Sequence, residues 1–287
     1  MELVTYIDEV ARRVKAWHNE GLTVGFVPTM GYLHEGHASL IRTAAAENDR
    51  VVVSIFVNPI QFGPNEDLEQ YPRDLTRDTQ ISTESGAHLI FHPEPEEMYP
   101  KGFASYIDMT DGPTQNLCGS RRPGHFRGVC TVVAKLFQIV QPDRAYFGQK
   151  DAQQLAVVKR MVSDFCIPVK IIGCPIVREE DGLAMSSRNR YLNEEERKAA
   201  LCLHKGLEEG MALIQAGETN PNIVIAAVAK RITEEPKAHM DYVQLVHPDT
   251  IRIISKIDGP VLCACAVYIG STRLIDNFIL RSEEVLL

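Results

Sequence analysis

The sequence lacks the features that mark membrane proteins and cysteine-based metal sites. No apolar run reaches the roughly 18 residues that a membrane helix needs, so we expect no membrane span. The seven cysteines are odd in number and form no Cys-x-x-Cys pair. Most of them stand among apolar residues, which is typical of buried, reduced thiols in a cytosolic protein rather than of a zinc site.

An excess of positive charge is also absent. The 38 Asp and Glu residues outnumber the 30 Lys and Arg residues, and the net charge is −8. The surface as a whole therefore does not attract nucleic acid, and any anion must be bound by local groups. Repeats and low-complexity segments are missing too. The 287 residues, 45% of them hydrophobic, suit one large domain or two smaller ones.

The first twenty residues do not resemble a secretion signal. Apolar residues recur there at helical spacing between charged residues, which predicts a surface amphipathic helix over residues 1–20. The apolar positions are Leu3, Ile7, Val10, Ala11, Val14 and Trp17.

Strand and helix patterns alternate through the first 176 residues. The strands are predicted at 24–28, 51–57, 88–91, 144–147 and 169–172. Apolar strands separated by helices form a parallel sheet covered on both faces, and ligands bind beyond the carboxyl ends of its strands. Polar or glycine positions that follow strand ends are therefore expected to share one edge of the sheet. These positions are His34, Asn58, Gln61, His92 and Gly148.

The pattern changes near residue 176. One long helix is predicted over 194–214 and another over 221–233. Strand patterns at 242–246, 261–268 and 273–276 then indicate an antiparallel meander. The sequence thus predicts an α/β protein with a sheet domain over residues 1–176 and a smaller α+β domain over residues 177–287.

The most informative segment is His34-Glu35-Gly36-His37, which follows the first predicted strand and begins a helix. Gly31 permits the turn before it. Two histidines three residues apart share one face of a helix start, where unsatisfied N–H groups favour anions. Two imidazole donors at that point suit a polyphosphate. A His-x-Gly-His helix start after a first strand is a mark of enzymes that attack the α-phosphate of ATP.

Two other interpretations of this histidine pair stay open. Histidines at this spacing can bind zinc, although metalloproteases use a longer spacing. The two side chains can also be unrelated surface residues.

Two further segments have a composition suited to phosphate. Gly148-Gln149-Lys150-Asp151 follows a strand, so that Lys150 could meet a phosphate and Asp151 a ribose hydroxyl. The loop over 182–190 offers Ser186, Ser187 and Arg188 to phosphate oxygens and could close over a nucleotide. A capped turn and a solvated linker are the respective alternatives. Gln61 and Gln154 could hold a small hydroxy acid, and the loop Arg121–Gly128 is given a structural role.

Several motifs together resemble the pantothenate synthetase (pantoate–β-alanine ligase) family, and the resemblance spans nearly the whole chain. In chain order they are Pro28-Thr29-Met30-Gly31-x-Leu33-His34-x-Gly36-His37, Phe56-Val57-Asn58-Pro59-x-Gln61-Phe62, Tyr71-Pro72-Arg73, Arg122-Pro123-Gly124-His125-Phe126, Phe147-Gly148-x-Lys150-Asp151 and Met185-Ser186-Ser187-Arg188-Asn189. The resemblance implies a Rossmann-like N-terminal domain and a cytoplasmic homodimer. It also implies ATP, Mg2+, pantoate and β-alanine as ligands.

The resemblance assigns roles to individual positions. It implies ATP binding by Met30, Gly31, Tyr32, Leu33, His34, Glu35, Gly36, His37, Gly148, Gln149, Lys150, Asp151, Val177, Met185, Ser186, Ser187 and Arg188. It implies pantoate binding by Gln61 and Gln154, and His37 as the catalytic acid. We expect His34, Lys150 and Arg188 to stabilise charge beside it. Asp78 matches an acidic position near the metal, but Arg77 replaces the acid beside it, so the ATP phosphates are expected to hold most of the Mg2+.

The expected reaction joins pantoate to β-alanine through a pantoyl adenylate. The alternatives are a nucleotidyltransferase that accepts no amine, a nucleotide sensor without catalysis, and a metal-dependent hydrolase.

Overall fold

The computed structural model of this chain describes residues 1–64, 66–281 and 284. They form two compact units, each built from more than one stretch of chain. The sheet unit contains Met1–Thr110, Arg122–Gln149 and Val157–Pro175. The meander unit contains Asp111–Arg121, Lys150–Ala156 and Ile176–Leu287. The predicted division into residues 1–176 and 177–287 stays a prediction.

The sheet unit is built around six parallel strands. They are β1 (Glu2–Val4), β2 (Val24–Thr29), β3 (Arg50–Ile55), β4 (Leu89–Phe91), β5 (Arg144–Gly148) and β6 (Lys170–Cys174). Their order across the sheet is β1-β4-β3-β2-β5-β6. The five strands predicted from the sequence are confirmed as β2 to β6. The carboxyl ends of β4, β3, β2 and β5 lie side by side, so the expected common edge exists.

Helices cover both faces of this sheet. They are α1 (Ile7–Asn19), α2 (Glu35–Glu47), α3 (Leu75–Glu84), α4 (Pro95–Met98), α6 (His125–Val140) and the part of α7 (Ala152–Asp164) from Val157 onward. Side chains alternate along each strand. Val27 therefore packs with Ile41 of α2 in one cluster, while Phe26 meets Phe137 of α6 edge to face at 6.3 Å. Each fully buried side chain of this size contributes about 1.5–3 kcal/mol.

The predicted single helix over residues 1–20 is wrong at its beginning. Glu2–Val4 forms β1, which pairs in parallel with β4, and α1 starts only at Ile7. Helical periodicity holds for α1, where Val10 and Val14 are buried, but Leu3 is 42% exposed. An unpaired edge of β4 offers backbone hydrogen bonds that local periodicity cannot reveal.

The meander unit carries the antiparallel sheet that the sequence predicted. Its strands are β7 (Ala238–Val246), β8 (Val261–Ile269) and β9 (Thr272–Leu280), in that order. Its helices are α5 (Cys118–Arg121), the start of α7, α8 (Glu194–Ala199), α9 (Leu201–Gln215) and α10 (Pro221–Thr233). Leu203, Leu207 and Val228 pack on Cys263 and Cys265 of β8 in one buried cluster.

The single helix predicted over 194–214 is two helices, α8 and α9. Leu203 N–H bonds the Ala200 carbonyl three residues back at 3.3 Å. A bond that spans three residues is the tighter 3-10 type, and it interrupts the α-helical ladder.

The cysteines are free thiols, with Cys166 exposed and the other six buried, in agreement with the sequence prediction. Within the part of the chain that the structure describes, no helix is both long enough and apolar enough to cross a membrane.

Candidate active site

A sharp turn joins β2 to α2. Gly31 has a φ of +82° and Tyr32 a φ of +50°. The Gly31 N–H donates to Thr29 Oγ1 at 3.2 Å, and that hydroxyl donates to the Ser54 carbonyl at 2.7 Å. A Cβ on Gly31 would lie 3.0 Å from Asp78 Oδ2. The backbone angle therefore favours glycine at this position, and the surrounding space leaves little room for a Cβ.

Asp78 of α3 holds the turn in place. Its side chain is buried, Oδ2 accepts from the Tyr32 N–H at 2.8 Å, and Oδ1 accepts from the Leu33 N–H at 2.6 Å. Burial raises the pKa of this carboxyl, and the two N–H bonds offset only part of that effect. The predicted position of Asp78 near Mg2+ stays a prediction. Among the described residues, no group of three or more His, Cys, Asp or Glu side chains could hold a metal ion.

The two histidines form a capping box at the start of α2. His34 Nδ1 accepts from the Gly36 N–H at 3.1 Å, and His37 Nδ1 accepts from the His34 N–H at 3.3 Å. Their rings are 4.1 Å apart. A backbone N–H can only donate, so each Nδ1 must be unprotonated and each neutral ring carries its proton on Nε2. The start of α2 thus holds two Nε2–H donors in place.

Gln61 lies in a short 3-10 helix (Pro59–Gln61) that follows β3. Its side chain is buried. Gln61 Oε1 accepts from Asn58 Nδ2 at 3.0 Å, and Gln61 Nε2 lies 2.9 Å from Met30 Sδ. Gln61 and Met30 are thus neighbours at the carboxyl ends of β3 and β2.

Helix α6 packs directly against this 3-10 helix at Gly128. A Cβ on Gly128 would lie 2.4 Å from the Ile60 carbonyl oxygen and 2.6 Å from Gln61 Cα. Only glycine allows the two backbones to approach so closely.

The loop before α6 also supports Gln61. His125 Nδ1 lies 2.9 Å from the Gln61 carbonyl oxygen. Arg122 makes two hydrogen bonds of 2.6 Å to the Glu66 carboxylate. Burial raises the pKa of Glu66, but the Arg122 hydrogen bonds and charge outweigh it, so the pKa lies below its ordinary value. These contacts agree with the structural role predicted for this loop.

Lys150 lies in a 3-10 helix, Gln149–Asp151, that follows β5. Lys150 Nζ lies 4.0 Å from Asp151 Oδ2, at the limit of an ion pair. The Lys150 carbonyl accepts from Asn277 Nδ2 at 2.9 Å. Asn277 of β9 thereby fixes the backbone from which the Lys150 side chain extends.

Residues 177–185 form a short hairpin. Met185 N–H donates to the Val177 carbonyl at 3.0 Å, and Arg178 and Ala184 are bridged. Arg178 binds both carboxylate oxygens of the buried Asp276 on β9, at 2.7 and 3.0 Å. Val177, a predicted ATP-binding position, is thus anchored through its neighbour.

Ser186 ends this hairpin and caps the 3-10 helix Ser187–Tyr191. Its Oγ accepts from the Arg188 N–H at 3.3 Å. Asn189 Nδ2 binds the Glu179 carboxylate at 3.0 Å and the Ala184 carbonyl at 3.1 Å. The predicted phosphate loop is therefore an ordered turn rather than a solvated linker.

Gln154 lies partly exposed in the first turn of α7. Its neighbour Gln153 is buried, and its side chain forms hydrogen bonds with backbone groups. Nε2 donates to the carbonyls of Pro113 and Asn116, and Oε1 accepts from the Cys118 N–H. Of these two glutamines, Gln154 is therefore the better candidate for binding a ligand.

The predicted site residues fall into two groups. The segment Met30–His37, together with Gln61 and Asp78, belongs to the sheet unit, where β2 and β3 place Met30–His37 and Gln61 at one edge. Lys150, Asp151, Gln154, Val177 and Met185–Arg188 belong to the meander unit. The sequence analysis gave no role to the supports Arg178, Asp276 and Asn277. Most of them are far in sequence from the residues they hold, so spacing carried no signal.

Comparisons with known proteins identify the family to which this chain belongs. The family model described as pantoate-beta-alanine ligase matches residues 2–279. A protein of Clostridium botulinum (strain Kyoto / Type A2) named pantothenate synthetase is 55% identical over 278 residues, covering 97% of this chain and 99% of that protein.

Two solved structures are similar over almost their full length. The pantothenate synthetase of Thermus thermophilus has a TM-score of 0.91 and 46% identity, covering 97% of this chain and 99% of that one. The pantoate-beta-alanine ligase of Francisella tularensis, complexed with beta-gamma ATP and beta-alanine, has a TM-score of 0.79 and 36% identity, covering 99% and 98%.

A parallel sheet whose β2 strand leads into a His-x-Gly-His helix start defines a Rossmann-like α/β protein of the nucleotide-binding class. Within that class, this chain belongs to the pantoate–β-alanine ligase family and is an enzyme.

Proposed function

We propose that this enzyme condenses (R)-pantoate with β-alanine, consuming ATP and releasing AMP and pyrophosphate through a pantoyl adenylate. Family membership over residues 2–279 supports the overall reaction. The observation that carries the chemistry is the capping box, in which backbone N–H groups hold both Nδ1 atoms of His34 and His37 and leave Nε2–H as the donor of each ring.

In the first half-reaction a pantoate carboxylate oxygen attacks the α-phosphorus of ATP. The new P–O bond forms as the bond to the bridging oxygen breaks, and its electron pair leaves with pyrophosphate. Negative charge grows on the leaving group, and donors already held in place stabilise it without reorganising. We assign this role to His34, His37, Lys150 and Arg188, with His37 as the catalytic acid in the sense that its Nε2–H donates a hydrogen bond to the leaving group.

The substrate positions follow from the same assignment. Gln61 and Gln154 hold pantoate, and the predicted segments Met30–His37, Gly148–Asp151 and Met185–Arg188, with Val177, hold ATP. Positioning of the carboxylate against phosphorus supplies much of the acceleration, because the protein has little covalent work to do.

In the second half-reaction the β-alanine amine attacks the acyl carbon of the adenylate. The C–N bond forms, the C–O bond breaks, AMP leaves with that electron pair, and the amine releases its proton to solvent. Acyl adenylates react with water, so exclusion of water protects the intermediate. We assign that exclusion to closure of the Ser186–Arg188 turn.

Mg2+ belongs to the proposal as an ion carried mainly by the ATP phosphates, where it would offset phosphate charge. Asp78 fits poorly as its direct ligand, because the carboxylate is buried and both oxygens already accept N–H bonds. Mg2+ is commonly coordinated by substrate phosphates and by few protein ligands.

A homodimer and a cytoplasmic location complete the proposal and are supported by the family resemblance. Light scattering over a range of protein concentrations would measure the assembly state. A mass that stays at one chain throughout would remove the dimer from the proposal.

The decisive experiment is ATP–pyrophosphate exchange. We expect radiolabelled pyrophosphate to enter ATP only when pantoate is present, and to do so without β-alanine. Exchange that does not depend on pantoate would contradict the adenylate mechanism and favour a simple nucleotidyltransferase. ATP binding without exchange would indicate a sensor, and zinc that co-purifies at one ion per chain would indicate a metal-dependent hydrolase.

A further inference from the structure

The amide of Asn58 has one orientation that satisfies its neighbours. The Gly128 carbonyl can only accept, so the nitrogen that faces it at 3.2 Å must be Asn58 Nδ2. Asn58 Oδ1 then faces the Tyr99 hydroxyl at 2.7 Å and accepts its hydrogen. Asn58 itself is buried, so these contacts replace water.

The orientation of Asn58 determines that of Gln61. Asn58 Nδ2 donates to Gln61 Oε1 at 3.0 Å, and the Gln61 nitrogen therefore points away from Asn58. That nitrogen lies 2.9 Å from Met30 Sδ. A thioether is a weak acceptor, and a substrate oxygen, above all an anionic one, is a better partner for the same N–H2 group.

We propose that Tyr99 is a positioning residue for the acid substrate: through Asn58, its hydroxyl keeps the Gln61 N–H2 group directed at a pantoate oxygen. This inference rests on the proposed function, in which Gln61 binds pantoate. Tyr99 does not touch the substrate and acts only by fixing which end of the Gln61 amide the substrate meets.

The surroundings of Tyr99 suit a fixed donor. Its ring packs on Phe103 at 4.9 Å and Phe56 at 6.1 Å, and the Lys135 ammonium lies 5.8 Å from the ring centre. Burial raises the pKa of the phenol, so the hydroxyl keeps its proton across the working pH range. A phenylalanine would keep the ring contacts and remove only the donor.

The test compares Tyr99→Phe with Tyr106→Phe. Tyr106 also packs on Phe103, at 5.4 Å, but its side chain is exposed. We expect Tyr99→Phe to raise the KM for pantoate roughly tenfold, the effect of one weakened hydrogen bond to a charged group, with the KM for ATP unchanged. Tyr106→Phe should leave both constants unchanged.

A double-mutant cycle separates positioning from general loss of structure. In a Gln61→Ala background, Tyr99→Phe should add no further loss of pantoate affinity, because the amide it orients is gone. An equal loss in both backgrounds, or no loss in either, would overturn the inference.

Gln61→Glu tests the orientation without touching Tyr99. The carboxylate still accepts from Asn58 Nδ2 but turns an oxygen toward the substrate. We expect the KM for pantoate to rise at least about tenfold through repulsion of like charges. An unchanged KM would overturn the orientation even where Tyr99→Phe fails to fold. If the enzyme without any substitution shows no pantoate-dependent ATP–pyrophosphate exchange, the proposed function is wrong.

Discussion

Each imidazole at the start of α2 serves two purposes with its two nitrogens. Nδ1 of His37 stabilises the helix by accepting a backbone N–H, and Nε2–H is proposed to meet the phosphates. Substitutions can separate these purposes, because an asparagine amide reaches the position of Nδ1 and a glutamine amide reaches that of Nε2.

We predict that His37→Asn folds with near-normal stability but lowers turnover by about 100-fold or more, the scale of one lost transition-state donor. His37→Gln should keep more of the turnover and a near-normal free energy of unfolding, because a glutamine at the third helical position can itself accept the His34 N–H of the capping box. Single-turnover kinetics and urea unfolding measure the two quantities.

His239→Asn is the matched control, since His239 is an exposed histidine of β7. It should change neither quantity. Near-normal turnover in His37→Asn would remove the Nε2–H of His37 from the mechanism.

The close packing of α6 on the 3-10 helix at Pro59–Gln61 holds Gln61, the proposed pantoate ligand, with backbone contacts. A Cβ on Gly128 would strike the Ile60 carbonyl oxygen at 2.4 Å, and a backbone atom cannot rotate away as a side chain can. Any relief must therefore shift α6 or the backbone that carries Gln61.

Gly128→Ala is expected to destabilise the protein by about 1–3 kcal/mol, the usual cost of overpacking, and to raise the KM for pantoate. Gly259→Ala is the control, because a Cβ there meets no neighbour within 4 Å. Urea unfolding and pantoate titration report both effects. A Gly128→Ala variant with unchanged pantoate KM would show that Gln61 does not depend on this packing.

The hairpin at 177–185 is tied to β9 by one buried ion pair. Removing the Arg178 side chain would leave the Asp276 carboxylate, which is 3% exposed, without its cation. We predict that Arg178→Met costs roughly 3 kcal/mol of stability and raises the KM for ATP, since Val177 loses its anchor.

Arg160→Met is a matched control, because Arg160 and Asp164 form an exposed pair at 2.9 Å worth less than about 1 kcal/mol. Urea unfolding compares the two variants. The double variant Arg178→Met with Asp276→Leu should regain part of the lost stability. Equal effects of Arg178→Met and Arg160→Met would contradict a special role for the buried pair.

Acid stability of the folded protein should depend on Glu66. Its pKa is held below the ordinary value of 4.5 in the folded state, so the folded state releases this proton more readily than the unfolded chain. The resulting stabilisation is present above pH 4.5 and is lost as the pH falls through the folded pKa.

We therefore expect Glu66→Gln to be less stable than the unchanged protein at pH 7, with the difference shrinking toward zero as the pH drops below about 4.5. Glu94→Gln, at an exposed glutamate, removes the same charge as a control. Thermal unfolding across pH 3–8 is the measurement. A difference that grows on acidification would contradict a lowered pKa of Glu66 in the folded state.

ATP binding offers a second prediction for the stability of the whole molecule. If ATP binds the folded state only, saturation at one hundred times its Kd should stabilise the protein by about 2.7 kcal/mol. Calorimetry with and without ATP measures the shift, and a Tm insensitive to ATP would contradict the nucleotide site.

The sequence by itself determined the order of strands and helices, the turn at Gly31 and the histidine pair, because each depends on residues close together along the chain. Periodicity and glycine chemistry act over a few residues and are visible without coordinates. The same local information failed at Glu2–Val4, where a distant strand edge replaces the expected helix.

Only the tertiary structure decided which groups hold the site residues in place. Asp78 reaches the turn from another helix, and Tyr99 orients an amide on a neighbouring loop through Asn58. Such contacts join positions tens of residues apart. The free energy of burying a polar group that makes such a contact depends on tertiary packing, which no local sequence pattern predicts.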